Sequence, residues 1–288
     1  MKKLKQIVAQ VKANSNDAFQ DRDGLLWQLI CYAPKMPLRL LQEQFLSTAT
    51  PFSLSVKDDF FTGKDLKFNG FKWGNGKHKV LITHGWGSKA ADFLEIITAI
   101  TSIEDVEIIA FDAPGNGSSE GELSNLILYV SAIRAIVQHC GKPDIVIGHS
   151  LGALANIVAM KEITLFPSLL ISIAPLIRLK ENFEMSMKVA EVSQNVQNSF
   201  FKDFEEKFQL QTSSFNFNNY YSFNQELNHW IAYDQNDKIV PYSYLKEFLN
   251  LQPSVKSKNY DEVGHDKILK SLEVIHDLIA EITKICTH

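Results

Sequence analysis

Residues 145–155 read Ile-Val-Ile-Gly-His-Ser-Leu-Gly-Ala-Leu-Ala. The three β-branched residues at the start are typical of a short buried strand, and the residues after Gly152 favour a helix. Gly148-x-Ser150-x-Gly152 between them predicts a tight turn that holds the serine in a strained backbone conformation above the sheet. We interpret Ser150 as a nucleophile. A passive serine in a glycine-rich turn is the alternative.

The sequence around this turn alternates between short apolar runs and amphipathic stretches, as in repeated strand–helix–strand units. This rhythm predicts an α/β fold with a mostly parallel central sheet and helices on both faces. The predicted strands lie at 80–83, 106–111, 145–147, 169–173, 230–233 and 255–260. The predicted helices lie at 90–101, 124–139, 151–162, 242–250 and 266–285.

Two parts of the chain depart from this alternation. Residues 1–50 predict a helical leader with a break at Pro34 and Pro37, and residues 52–73 alternate with period two as in an antiparallel hairpin. Residues 176–228, called the cap below, predict a helical cap or lid inserted between two late strands; a crossover helix with a long surface loop is the alternative. The core then consists of residues 51–175 and 229–288.

Composition restricts the classes of function. The chain has 288 residues, 29 basic and 33 acidic side chains and a net charge of −4 with no basic block, which argues against a nucleic-acid partner. The three cysteines, Cys31, Cys140 and Cys286, are widely spaced, as expected of reduced thiols in a cytoplasmic protein. No metal-ligand cluster, signal peptide or transmembrane stretch is evident in the sequence.

A serine needs a base to take its proton and an acid to orient that base, so the chain must supply both partners. His265 is the histidine of a Gly-His pair just before the last helix. It lies at a loop position on the carboxyl edge of the predicted sheet, where sites in such sheets form. The other histidines lie in the turn itself or near helices and strand starts. His265 is therefore the candidate base, although Asp266 beside it is an unusual neighbour.

These motifs resemble the α/β-hydrolase superfamily from about Trp73 to the C-terminus. Residues 79–87, Lys-Val-Leu-Ile-Thr-His-Gly-Trp-Gly, are similar to the family's strand and His-Gly turn. The resemblance implies an oxyanion hole formed by the backbone N–H groups of Trp86 and Leu151, with His84 ordering the loop rather than acting in catalysis.

Two further segments extend the resemblance. Residues 108–119 are similar to the family's next strand and loop, with Asn116 where many members have histidine. Asp112 in this loop precedes Ser150, whereas the family order is serine, acid, histidine, so a structural role is expected for it. Residues 233–241, Tyr-Asp-Gln-Asn-Asp-Lys-Ile-Val-Pro, are similar to the family's acid turn and select Asp237, with Asp234 as the rival acid.

The predicted function is hydrolysis of a small-molecule carboxylic ester through an acyl-enzyme, with no cofactor and no metal. Thioester cleavage, carbon–carbon bond hydrolysis and acyl transfer on the same triad are alternatives, as is a non-catalytic binding protein of the same fold. The aromatic side chains of the cap predict an apolar acyl pocket, unless most of them form the cap's own core. They are Phe183, Phe200, Phe201, Phe204, Phe208, Phe215, Phe217, Tyr220 and Tyr221, together with Met187.

Overall fold

One twisted sheet organises the protein. The computed structural model describes residues 2–13, 22–222 and 227–287, and within them eight strands pair in the order β1-β2-β4-β3-β5-β6-β7-β8. The strands are β1 (Thr50–Lys57), β2 (Asp65–Gly74), β3 (His78–Thr83), β4 (Val106–Phe111), β5 (Ile145–His149), β6 (Leu169–Ile173), β7 (His229–Tyr233) and β8 (Lys256–Asn259).

The pairing confirms the predicted fold class. β1 and β2 form the expected antiparallel hairpin, and β2 runs antiparallel to β4. From β4 to β8 every neighbouring pair is parallel. Since the carboxyl ends of these parallel strands share one edge, the loops that follow them converge on the same side of the sheet.

Helices cover both faces of the sheet. The core beneath α5 and α6 is continuous with the N-terminal helices and the cap, and a separate core packs α4 and α11 on the opposite face. The helices are α1 (Lys2–Ala13), α2 (Arg22–Cys31), α3 (Leu40–Leu46), α4 (Leu94–Ile100), α5 (Leu126–Cys140), α6 (Leu151–Glu162), α7 (Leu179–Val189), α8 (Gln194–Phe208), α9 (Phe217–Tyr220), α10 (Tyr242–Leu251) and α11 (Leu272–Cys286).

The last helix begins later than the sequence pattern predicts. A short 3-10 turn, Lys267–Lys270, occupies the start of the predicted helix, and α11 begins at Leu272. The side chain of Ser271 caps the first turn by accepting the backbone N–H of Val274. None of the helices in the described part of the chain has the length and apolar composition needed to cross a lipid bilayer.

An aromatic cluster ties the N-terminal helices to the cap. The Trp27 ring of α2 lies 4.8 Å from that of Phe200, 6.0 Å from Phe204 and 5.8 Å from Phe208, all on α8. Phe61, from the turn between β1 and β2, lies 5.7 Å from the same indole. The leader, the hairpin and the cap therefore pack together on one side of the molecule.

His229, the first residue of β7, is a buried neutral histidine. Its Nε2 lies 2.9 Å from Oγ of Ser172, and its Nδ1 lies 3.0 Å from the hydroxyl of Tyr221. Burial lowers the pKa of His229 to about 3. His229 therefore stays unprotonated in the folded state at pH values near 6.5, where the same side chain binds a proton in the unfolded chain.

This linkage predicts acid sensitivity. As pH falls below about 6.5, His229 should reduce the free energy of unfolding by about 1.4 kcal/mol per pH unit, or about 2 kcal/mol by pH 5. Urea denaturation at several pH values checks this. His229→Gln should reduce the slope of the free energy of unfolding against pH by the equivalent of about one bound proton. His276→Gln, at an exposed position of α11, should leave that slope unchanged. An unchanged slope in His229→Gln would contradict the prediction.

Candidate active site

The turn between β5 and α6 places Ser150 at the carboxyl edge of the sheet. Ser150 has φ 53° and ψ −120°, a conformation that costs energy for a residue with a Cβ atom. A Cβ atom at Gly152 would lie 2.3 Å from the carbonyl oxygen of Thr83, and one at Gly148 would lie 2.6 Å from Cα of Ala153. Both glycines are therefore required by the close approach of backbone to backbone.

Ser150, His265 and Asp237 lie in one hydrogen-bonded row. Oγ of Ser150 lies 2.9 Å from Nε2 of His265, and Nδ1 of His265 lies 2.6 Å from Oδ2 of Asp237. The side chains of His265 and Asp237 are 10% and 2% exposed. With the Nδ1–H donating to the carboxylate, Nε2 is free to accept the serine proton. The arrangement can activate the hydroxyl for attack on a carbonyl.

The environment of Asp237 favours its ionised form. Burial acts to raise the pKa of Asp237, but the hydrogen bond and the charge of His265 outweigh it and hold the pKa below its usual value. The backbone N–H groups of Ile239 and Val240 also donate to this carboxylate, at 2.7 Å and 3.2 Å. The carboxylate is thus fixed in position, and its charged form is favoured.

Asp234, the rival acid, has different partners. It is 4% exposed, and its Oδ2 accepts the backbone N–H of Gly264 at 2.8 Å. Its Oδ1 accepts the N–H of Asn236, also at 2.8 Å. Asp234 therefore ties the loop that carries His265 to the loop that carries Asp237, without contacting the imidazole itself.

The two residues whose backbone N–H groups are expected in an oxyanion hole, Trp86 and Leu151, line the same cavity as Ser150. Leu151 is the first residue of α6, where the N–H has no acceptor within the helix and the helix dipole is positive. In the part of the chain that the structure describes, no protein acceptor is paired with the N–H of Trp86 either. The next residue, Gly87, is held by its N–H, which donates to Oδ1 of Asn116 at 3.0 Å.

Asn116 and His84 order the loop that carries Trp86. The Asn116 side chain is buried, and its amide group donates to Pro114 O and Ser124 Oγ at 3.2 Å and 3.1 Å. His84 accepts the backbone N–H of Ala113 at Nε2, 2.9 Å away, and its Nδ1 lies 2.6 Å from the carbonyl of Gly85. Burial lowers the pKa of His84, so the ring serves as a neutral bridge.

Asp112 lies beneath the same loop and away from the row of Ser150, His265 and Asp237. Its carboxylate accepts the backbone N–H of Ala90 at 2.8 Å and that of Ser118 at 2.7 Å, and it also accepts the Ser118 hydroxyl. These bonds occupy both carboxylate oxygens. Its contacts are those of the loop-structure role expected from the sequence.

His149 is a site residue that the sequence interpretation passed over as the variable position of the turn. Its Nε2–H donates to the backbone carbonyl of His265 at 2.9 Å, and the two rings lie 4.8 Å apart. Burial and the neighbouring His265 lower the pKa of His149 to about 3. His149 therefore helps to position His265 through the backbone carbonyl of that residue. The feature of the sequence that could have indicated this role was a histidine at the end of a strand that is buried along its length.

One group of potential metal ligands occurs among the described residues, and it lies here. Single ligand atoms of His149, His265 and Asp266 come within 4.8 Å of one another. Both nitrogens of His265 already have partners in Asp237 and Ser150, and Nε2 of His149 is bonded to a carbonyl. Nδ1 of His149 is buried and has no hydrogen-bond partner among the described residues.

A cavity of about 570 Å³ opens from Ser150 and His265. Phe183, Phe204, Phe208 and Phe215 of the cap line it, together with aliphatic side chains. Met187, Phe200 and Phe217 are buried in the core beside it, so the cap residues divide between the two roles considered from the sequence. A second cavity, of about 600 Å³, lies between α7 and α10 and has a wall rich in charged residues that does not include Ser150.

Comparison with known proteins finds a related sequence and similar structures. The rat (Rattus norvegicus) monoglyceride lipase is 27% identical over 124 residues, which cover 40% of this chain and 41% of that relative's length. An esterase from Pyrococcus furiosus has a similar structure, with a TM-score of 0.61 and 16% identity over 90% of this chain and 97% of that one. A thermophilic esterase from Thermogutta terrifontis gives 0.57 and 13% over 81% and 99%.

The structural likenesses, at these identities, show the fold. The family assignment comes from the sequence: a model of the alpha/beta hydrolase family matches residues 80–247, more than half of the chain. The matched stretch runs from β3 through the turn at Ser150 to α10, and it contains Asp237. This chain belongs to the alpha/beta hydrolase family.

Proposed function

We propose that this protein is a serine hydrolase that cleaves the carboxylic ester of a small molecule, with Ser150 as nucleophile, His265 as general base and Asp237 as the acid of the triad. The observation that carries the proposal is the hydrogen-bonded row of these three side chains, with separations of 2.9 Å and 2.6 Å, at the wall of a large cavity. A row in this order is what activation of a serine hydroxyl requires.

The proposed reaction has two halves. His265 takes the Ser150 proton at Nε2 while Oγ attacks the ester carbonyl carbon, and the oxyanion that forms accepts the N–H groups of Trp86 and Leu151. The imidazolium then protonates the alcohol oxygen as the carbon–oxygen bond breaks. Water, deprotonated by His265, attacks the acyl-enzyme, and Ser150 recovers its proton when the carboxylic acid leaves.

Asp237 supports both halves by staying charged. Its carboxylate holds the Nδ1–H of His265, which keeps the ring in the tautomer that can accept a proton at Nε2. When the ring becomes an imidazolium, the adjacent negative charge stabilises it. The lowered pKa of Asp237 supports this role because it favours the ionised carboxylate.

An ester is the substrate class best supported. The related rat protein is named a monoglyceride lipase and the structural neighbours are named esterases. The mostly apolar cavity also suits the hydrocarbon part of an ester. Cleavage of thioesters or carbon–carbon bonds and acyl transfer use the same three roles, so a panel of oxygen esters, thioesters and β-diketones would rank these reactions by kcat/KM.

We assign three parts to this function: residues 1–50 as a leader, residues 51–175 and 229–288 as the core, and residues 176–228 as a cap over the site. In support, α7, α8 and α9 lie between β6 and β7 along the chain. The helices α7 and α8 also contribute side chains to the cavity at Ser150. The cap would then exclude water from the acyl-enzyme and shape the substrate pocket.

A fluorophosphonate probe separates an enzyme from a binding protein of the same fold. The probe reacts with an activated serine, so the native protein should be labelled at Ser150 and the heat-denatured protein should not. Ser150→Ala should abolish labelling. Ser88→Ala is the matched control, because Ser88 lines the same cavity but donates to Asp92 at 2.8 Å. Labelling that persists in Ser150→Ala would overturn the proposed nucleophile.

A further inference from the structure

The cavity at Ser150 is bounded by the N-terminal helices as well as by the core and the cap. Leu4 and Val8 of α1 and Leu29 and Ile30 of α2 form part of its wall. These residues lie more than a hundred positions before the nucleophile and outside residues 80–247, the part that matches the family model. The leader therefore supplies a wall of the site that the family match does not account for.

Helix α1 presents its whole apolar stripe to this side. Leu4, Ile7, Val8 and Val11 follow the spacing of one helix face. Ile7 and Val11 are 2% and 7% exposed and belong to the core, whereas Leu4 and Val8 are half-buried and line the cavity. Because the same stripe serves both purposes, the position of α1 against the core determines where the cavity ends.

Ion pairs form at both ends of α1. Lys3, near the start, pairs with Glu122 of the loop after β4. Lys12, near the end, pairs with Glu191 beyond α7 at 2.6 Å. Pairs this exposed add little stability. Burial of Ile7 and Val11 is what holds α1 against the core.

The wall chemistry selects a hydrocarbon chain. Aliphatic side chains of α1 and α2 and phenylalanines of the cap form most of the wall away from Ser150. The cavity measures about 570 Å³. A water molecule takes about 30 Å³ in the liquid and a methylene group is of similar size, so there is room for roughly a dozen or more methylene groups. An acetyl group would fill only a small part of it.

We infer that Leu4 and Val8 of α1 set the acyl-chain length that this site accepts, and that its substrates are esters of medium- or long-chain fatty acids. The inference rests on the proposed function and adds the substrate class to it. A larger side chain at either position would shorten the space for the acyl chain, and it would leave the reacting atoms at Ser150 and His265 untouched.

A chain-length profile tests the inference. The kcat/KM for p-nitrophenyl acetate, butyrate, octanoate and laurate would be measured below the concentrations at which the esters form micelles. The wild type should prefer octanoate or laurate to acetate. Val8→Trp should lower the ratio of laurate to acetate at least ~10-fold, since misfit of even one methylene costs that much. Gln6→Trp adds the same ring on the exposed face of α1 and should leave the profile unchanged.

The outcomes separate this inference from the proposed function. A wild type that cleaves no ester and takes no fluorophosphonate label would overturn the proposed function. Normal acetate hydrolysis with the same profile in the wild type and Val8→Trp would overturn only the role of α1, as would a uniform loss on all four esters. Thermal melting checks that Val8→Trp folds. If it does not, Val8→Ala enlarges the pocket and should shift the preference toward longer chains.

Discussion

Ser150→Ala should lower kcat for any hydrolysed ester by at least ~1000-fold, because it removes the atom that attacks the carbonyl. The change should leave folding intact. The backbone at Ser150 keeps its positive φ with alanine, and among the described residues the one side-chain hydrogen bond lost is that to Nε2 of His265. Single-turnover and steady-state assays, with thermal melting alongside, measure the two effects separately.

His265→Ala should cost a similar factor, and the pair should not be additive. Serine without its base is as ineffective as base without its serine, so the double variant should lose about as much as either single variant. Ser53→Ala, at an exposed position of β1, is a matched control that should keep wild-type turnover. Turnover near the wild-type value in either single variant would remove that residue from the mechanism.

The sequence predicted the central sheet well for a physical reason. Strands buried on both faces need continuous apolar runs, and runs such as 106–111 and 169–173 match β4 and β6 residue for residue. The turn at Ser150 was predicted equally well, because glycine is the only residue type that the close contacts with Thr83 and Ala153 allow at Gly152 and Gly148. Local steric constraints of this kind require particular residue types at fixed positions, so they can be recognised in the sequence.

Contacts between distant segments could not be predicted from the sequence in this way. Periodicity predicted that the leader is helical, but it held no information that Leu4 and Val8 reach the cavity or that Trp27 packs against α8. The predicted start of the last helix was also wrong. An apolar helical period continues through the 3-10 turn, and only the cap at Ser271 marks where α11 begins. Such features depend on tertiary packing rather than on local pattern.

The choice between two nearby carboxylates was open in the sequence because both follow the same strand and both suit a turn. Geometry distinguishes their contacts: Asp237 accepts the Nδ1–H of His265 at 2.6 Å, whereas Asp234 accepts two backbone N–H groups at 2.8 Å. A substitution that keeps shape and removes charge should therefore act on different properties at the two positions.

Asp237→Asn should lower kcat by ~10,000-fold with little change in melting temperature, since an amide can hold the imidazole in the wrong tautomer and cannot balance its positive charge. Asp234→Asn should instead lower the free energy of unfolding by about 1–3 kcal/mol, because its amide can accept only one of the two backbone N–H groups that now donate to a charged carboxylate. Its kcat should stay within ~10-fold of wild type, since Asp234 takes no part in the hydrogen bonds that join His265 to Asp237 and Ser150. Equal losses of kcat in the two variants would leave neither carboxylate distinguished as the acid, and a larger loss in Asp234→Asn would exchange their roles.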